Sequence, residues 1–164
     1  MKKGIIIGII IFLVIILALV IVGGIVFKSA MQPKTAITAS DFYTKMSQKN
    51  YTVKDATSQF ASYNYIKKVY LAQDSNAKYQ IEFYEIADEA TAVAFFENNK
   101  AIFENSKGSA SSSGYLNGVN FSTYSVTANN KYKGLSRIIN TIIYYDVDNT
   151  YKNDVENVLK ELGY

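Results

Sequence analysis

Hydrophobic and polar positions divide the chain in two. From Gly4 to Phe27 no residue is charged and most are large and aliphatic: GIIIGIIIFLVIILALVIVGGIVF. Beyond that run, apolar residues recur at spacings of two or of three to four. The first pattern is apolar on every side and calls for an apolar solvent; the second is what a water-soluble core requires. At about 1.5 Å per residue the run would be a helix about 36 Å long. That is enough to cross a hydrocarbon core of about 30 Å with some tilt. A cleaved signal peptide has a shorter apolar stretch, about 7–15 residues, and ends in a small-residue site. The one tolerable site, Val22-Gly23-Gly24, is followed by more apolar residues, and the absence of cysteine excludes a lipoprotein anchor. The run is expected to be a retained transmembrane helix.

Residues 28–37 read as a tether, because Pro33 stops any helix continuing from the membrane. Ten extended residues reach at most about 35 Å, which keeps the rest of the chain near the bilayer. Residues 38–164 read as one domain. Thr38 and Asp41 have the spacing of a capping box, and Ile37 and Phe42 that of a hydrophobic staple. Phe42 and Met46 share the face of this first helix, which Asn50 ends in a left-handed conformation with Tyr51 packing back. A short strand is expected at Thr52–Asp55 and a loop at Thr57–Asn64. A hairpin follows, with strands over 66–72 and 79–86 around the turn chemistry of Asp74-Ser75-Asn76-Ala77. Asp88 caps a second helix whose apolar face is Ala92, Phe95, Phe96, Asn99, Ile102 and Phe103. Lys107–Gly114, KGSASSSG, reads as a flexible loop. Strands are expected at Val119–Ala128, Lys131–Ile138 and Thr141–Asp146, turning at Asn129-Asn130 and Ile139-Asn140. Thr150 caps a last helix with the stripe Tyr151, Val155, Val158, Leu159 and Leu162, closed by Gly163.

The order α-β-β-β-α-β-β-β-α with local hairpins implies an α+β fold. Its expected form is a two-layer sandwich, with an antiparallel sheet under three helices. Phe42-x-x-x-Met46-x-x-x-Asn50-Tyr51 parallels Val155-x-x-x-Leu159-x-x-x-Gly163-Tyr164, a hint of two α-β-β-β units about a pseudo-twofold.

Charge sharpens this picture. The net charge is +3. Removing Lys2, Lys3 and Lys28 from the 17 basic residues leaves 14, equal to the 14 acidic ones, all of which lie beyond Pro33. A neutral domain carries no nucleic-acid footprint. Lys2 and Lys3 at the inner end give a small positive-inside bias. The expected topology is a cytosolic N-terminus (residues 1–3), one span, and an extracytoplasmic domain in the cell membrane.

Chemistry is sparse. Histidine and cysteine are both absent. That removes the commonest general base, the commonest zinc ligand and every thiol nucleophile. No phosphate-binding glycine loop or nucleophile elbow occurs. Ser75-x-x-Lys78 has the spacing of a serine acyl enzyme but falls across a hairpin turn. Asp146-x-Asp148-Asn149 begins like a calcium loop, yet Thr150, Tyr151 and Asn157 stand where that loop needs other residues. No catalytic residue, metal site or cofactor is assigned. Arg137, the one arginine, suits either a carboxylate or phosphate ligand or a cross-strand pair with Glu82 or Glu85. Tyr63, Tyr65 and Tyr115 fall in expected loops, where tyrosines bind peptides or glycans at little entropic cost. Gly4-x-x-x-Gly8 is spaced for close approach of two membrane helices, a weak homodimer contact.

Richness in Ile, Lys, Asn and Tyr is the usage of an AT-rich bacterial genome. The stretches Lys49-Asn50-Tyr51-Thr52-Val53, Tyr79-Gln80-Ile81-Glu82-Phe83-Tyr84, Ser136-Arg137-Ile138-Ile139-Asn140-Thr141 and Leu159-Lys160-Glu161-Leu162-Gly163-Tyr164 carry a resemblance. They are similar to small single-span membrane-anchored proteins of clostridial-type Gram-positive bacteria. The resemblance implies location and fold and assigns no catalytic residue. The expected function is a membrane-anchored extracytoplasmic interaction or accessory module with an envelope protein as partner. The alternatives are a domain binding a glycan, peptide or metabolite, with the Lys107–Gly118 loop over the ligand, and a small hydrolase without His or Cys.

Overall fold

A computed structural model describes residues 32–108 and 111–164. The apolar run, Gly4 and Gly8, and residues 28–31 of the tether lie outside the described residues. Among those that are described, no helix is long and apolar enough to cross a membrane.

The element order is α1 (Ala39–Gln48), β1 (Thr52–Asp55), a 3₁₀ turn (Thr57–Phe60), β2 (Ile66–Gln73), β3 (Gln80–Ile86), α2 (Glu89–Ser106), β4 (Ser112–Asn117), β5 (Phe121–Ala128), β6 (Lys131–Ile138), β7 (Thr141–Asp148), a second 3₁₀ turn (Asn149–Tyr151) and α3 (Lys152–Leu162). Among the described residues the fold is α+β, with three helices and a seven-stranded sheet ordered β1-β2-β3-β7-β6-β5-β4. Every neighbouring pair is antiparallel. Two meanders, β1–β3 and β4–β7, meet where β3 pairs with β7.

Local chemistry sets the helix ends. Asp41 N–H donates to Thr38 Oγ1 at 3.0 Å, and Thr38 N–H donates back to the Asp41 carboxylate at 3.2 Å, completing the capping box. Thr91 N–H donates to Asp88 at the start of α2. Asn50 and Gly163, at φ of 63° and 89°, follow α1 and α3. Tyr51 N–H then bonds back to Met46 O, and Tyr164 N–H to Leu159 O, the same C-terminal device twice. The last helix departs from expectation at its start. Asp148, not Thr150, supplies the capping oxygen, accepting from Thr150 N–H in the 3₁₀ turn that precedes α3.

The layering also departs from the two-layer expectation. Phe42 and Met46 of α1 and Val155, Val158, Leu159 and Leu162 of α3 pack with Ile81, Phe83, Ile143 and Tyr145 on one face of the sheet. Ala92, Phe96 and Phe103 of α2 pack with Tyr84, Tyr124, Leu135 and Ile142 on the other. Helices therefore cover both faces. The reason lies in β3 and β7, which each bury large apolar or aromatic residues on both faces: Phe83 and Tyr84, Ile143 and Ile142. A strand apolar on both sides must be covered on both.

Three smaller corrections follow. Residues 112–114, expected to be loop, open β4, the strand that makes seven instead of six, and Tyr115 lies on it. Ile102 is 62% exposed, off the buried stripe of α2. The hinted repeat is not a duplicated unit, because α1 and α2 lie on opposite faces and are followed by three and four strands.

The tether ends in a fixed place. Lys34 N–H donates to Asn120 Oδ1 at 2.9 Å, and Asn120 Nδ2 donates to Lys34 O at 2.8 Å. The Lys34 ammonium lies 4.7 Å from the centre of the Phe121 ring. The segment entering the domain is thus held on the β4–β5 turn.

Candidate functional site

On the α2 face, helix α2 leaves the β2–β3 side of the sheet open. The chain between β1 and β2 rises on the far side, and a cleft of about 440 Å³ lies between the two. Its floor is Glu82 and Tyr84 of β3 with Tyr144 of β7; Glu82 and Tyr144 are register partners. One wall is Phe60, Tyr63 and Tyr65; the other is Phe95 and Asn99 of α2. A volume of this size suits a small molecule or one group of a larger one.

The walls are built from local constraints. Ala56 is buried, and Asp55 accepts from the N–H and hydroxyl of Thr57 at 2.9 and 2.6 Å, starting the 3₁₀ turn. Phe60 then meets Tyr84 edge-on, with ring centres 5.6 Å apart. Tyr84 meets Phe95 at 5.5 Å, so aromatic surface runs from one wall through the floor to the other. Tyr63 and Tyr65 contact each other edge-on at 5.8 Å at the mouth. Such tilted and edge-on pairs are the favoured aromatic geometries. Beyond the Tyr65–Phe95 ridge lies a second depression of about 340 Å³, with Thr91, Ala94 and Asn98 of α2.

Glu82 is the carboxylate of the cleft. Its two oxygens accept from the Tyr84 hydroxyl at 2.5 Å and from Gln80 Nε2 at 3.2 Å. Among the described residues no lysine or arginine lies within ion-pair distance of it. Burial, and then the charge of Glu82, push the Tyr84 hydroxyl far above its ordinary range, so it stays protonated and donating. Burial, with Asp146 and Glu82, raises Tyr144 as well. No second acid lines the cleft, so the paired carboxylates of glycoside hydrolysis are not assembled there.

The four residues singled out by sequence separate in space. Tyr63 and Tyr65 share the cleft. Tyr115 stands across α2 from it, with Lys100 Nζ 4.2 Å above its ring and Phe96 beside it at 6.3 Å. Arg137 is 4% exposed beneath the start of α2. Its Nη1 donates to Glu89 at 3.1 Å and to Ile139 O at 3.0 Å, and its Nη2 to Ser122 Oγ at 3.3 Å. The partner is Glu89 on the helix, and neither Glu82 nor Glu85 on the neighbouring strands.

Sequence reasoning missed Phe60, Glu82, Tyr84, Phe95, Asn99 and Tyr144 as site residues. Tyr84 next to Phe83 is the one available signal, because it breaks strict alternation and shows that β3 has a second buried face.

The remaining candidates are structural. Asp74 of the Ser75–Lys78 turn accepts from the N–H groups of Asn76, Lys78 and Tyr79. Asp146 pairs with Lys133 at 2.9 Å, and Asp148 caps the 3₁₀ turn. Among the described residues no group of three or more acidic side chains gathers into a possible metal site. Compared with known proteins, this chain matches no family model, no curated protein and no solved structure.

Proposed function

We propose that the chain is a membrane-anchored binding module at the outer face of the cell membrane, an accessory part of an envelope assembly, whose domain takes its ligand in the aromatic cleft. The anchor rests on the length and apolarity of Gly4–Phe27. Binding rests on one observation above the others. Tyr63 is 48% exposed beside a continuous Phe60–Tyr84–Phe95 surface, with an unpaired carboxylate at its base. Aromatic surface open to water is retained at a cost to solubility, and such patches mark contact sites.

Fluorotyrosine labelling of the full-length protein in nanodiscs gives every tyrosine a fluorine signal. Glycan, peptide and metabolite fractions of the bacterial envelope should include one that moves the Tyr63 and Tyr65 signals and leaves Tyr43, on the opposite side of the sheet, in place. Tyr65→Ala should abolish the response. If no fraction disturbs the cleft more than Tyr43, the reading fails.

A further inference from the structure

We infer that the cleft selects an organic cation, an ammonium group either free or carried on a peptide. This rests on the binding role proposed above and assigns that role a ligand class.

The polar atoms facing the cleft are unevenly equipped. Asn99 Nδ2 donates to the carbonyl of Phe95 at 2.9 Å. A carbonyl only accepts, so that bond fixes the amide orientation and leaves Oδ1 and the second N–H of Nδ2 on offer. The Tyr84 hydroxyl spends its proton on Glu82. Glu82 accepts only neutral donors, Tyr84 and Gln80, and an ionised carboxylate has room for more. The hydroxyls of Tyr63, Tyr65 and Tyr144 can donate or accept, and Glu82 is the one full charge in the lining, a negative one.

The ring faces add to this field. Aromatic faces carry the negative part of the ring quadrupole and attract cations placed over them. Phe60, Tyr63, Tyr65, Tyr84, Phe95 and Tyr144 line the cleft together with the single carboxylate. Walls of low polarity strengthen its field relative to water.

Basic side chains of the surrounding elements do not fill that role. Lys67 Nζ bonds the Asn64 carbonyl at 2.9 Å. Lys54 is exposed on β1, two strands from Glu82 through Leu71. Lys68 pairs with Asp55, and Lys100 lies over Tyr115. None of them lines the cleft. A cationic ligand would meet complementary charge there, whereas an anionic one would meet Glu82.

The test uses the full-length fluorotyrosine protein in nanodiscs and three probes. Choline represents a free quaternary ammonium, and N-acetyl-lysine methylamide a peptide-borne primary one. The third, 3,3-dimethyl-1-butanol, is the neutral carbon isostere of choline. We expect one of the cations to shift Tyr63, Tyr65 and Tyr84 and to bind at least about tenfold tighter than the neutral alcohol; the cation that does so identifies the source. Glu82→Gln keeps the shape and an acceptor for Tyr84, and should weaken the cation about tenfold. Glu85→Gln, on the same strand but facing the opposite layer, should leave affinity unchanged. Unaltered signals from the other tyrosines show that each variant is folded.

Equal binding of the alcohol, no response to either cation, or cation affinity indifferent to Glu82→Gln would each overturn the inference. If cleft signals move only with neutral probes or envelope fractions, the charge assignment falls and the binding role stands. If nothing moves them, both fall.

Discussion

Gly134 sits in β6 where two other groups converge. A Cβ there would overlap the Tyr124 carbonyl oxygen and the Tyr145 hydroxyl. The carbonyl belongs to the sheet ladder and the Tyr145 ring to the α3-side core, so neither moves freely. Gly134→Ala should lower stability by about 1–3 kcal/mol, the usual range for overpacking. Urea unfolding checks this, and an unchanged midpoint would refute the packing account. Arg137 poses the opposite problem of a buried charge. Its side chain is 5% exposed, and that of its one carboxylate partner among the described residues, Glu89, is 49% exposed. Glu89→Gln keeps an acceptor oxygen but removes the countercharge. The expected cost is about 1–2 kcal/mol, below the full range for a charged hydrogen bond because solvent screens the exposed partner. A variant as stable as the parent would show that solvent already neutralises Arg137.

At the scale of elements, the cleft depends on how the segment between β1 and β2 is held. Asp55 fixes its start, with the Lys68 ammonium at 2.6 Å on one side and Thr57 on the other. The Lys68 hydrogen bond, and then those from Thr57, hold the Asp55 carboxyl down to about 2. In the unfolded chain an aspartate titrates near about 3.9. A folded value below the unfolded one means the stabilisation is complete above about pH 4 and is lost as pH falls towards 2. Stability should therefore decline more shallowly between those values in Asp55→Asn than in the parent. Denaturant titrations at several acid pH values check this, and parallel curves would count against it. Because Phe60 follows in the same 3₁₀ turn, the Tyr63 and Tyr65 signals should broaden over that window in the parent. Helix α2 is the other wall, and its start is capped by Asp88 and tied to the sheet by Arg137–Glu89.

At the scale of the molecule, both ends of the domain are fastened to the sheet. Tyr164 bonds Thr141 through its hydroxyl, and Lys34 is clasped by Asn120. The entering segment leaves the β4–β5 turn only a few residues after the apolar run ends at Phe27. On the proposed topology, protease added to intact cells stripped of wall should digest residues 33–164, while untreated membranes return the full-length mass. The central aliphatic residues of the run each favour insertion by roughly 0.3–0.6 kcal/mol, and no described helix could bring the chain back across. A protected domain would place it in the cytosol, and a soluble product beginning near Ile25 would show cleavage.

By itself the sequence determined what depends on neighbours along the chain. The capping box at Thr38 and Asp41, the left-handed Asn50 and Gly163, the β2–β3 hairpin and the apolar stripe of α3 are all local, and each was legible. The Asn129-Asn130 turn belongs with them, since φ values of 52° and 59° suit asparagine. Tyr63 and Tyr65 were legible as binding candidates because aromatic residues stood in a loop, though not what they bind beside. Tertiary structure decided whatever joins distant segments. Polar β4 is a strand because β5 supplies its hydrogen bonds, and Ser112-Ser113-Gly114 carries no apolar pattern to announce it. Arg137 chose Glu89 because α2 crosses the sheet face that Arg137 occupies, a choice hidden by a separation of 48 residues. The cleft exists because α2 covers only part of its face, leaving Glu82 and Tyr84 between two walls drawn from residues 60–65 and 95–99. Periodicity reports which residues need burial. Which helix buries them, on which face, and what is left open depend on how the two meanders join at β3 and β7.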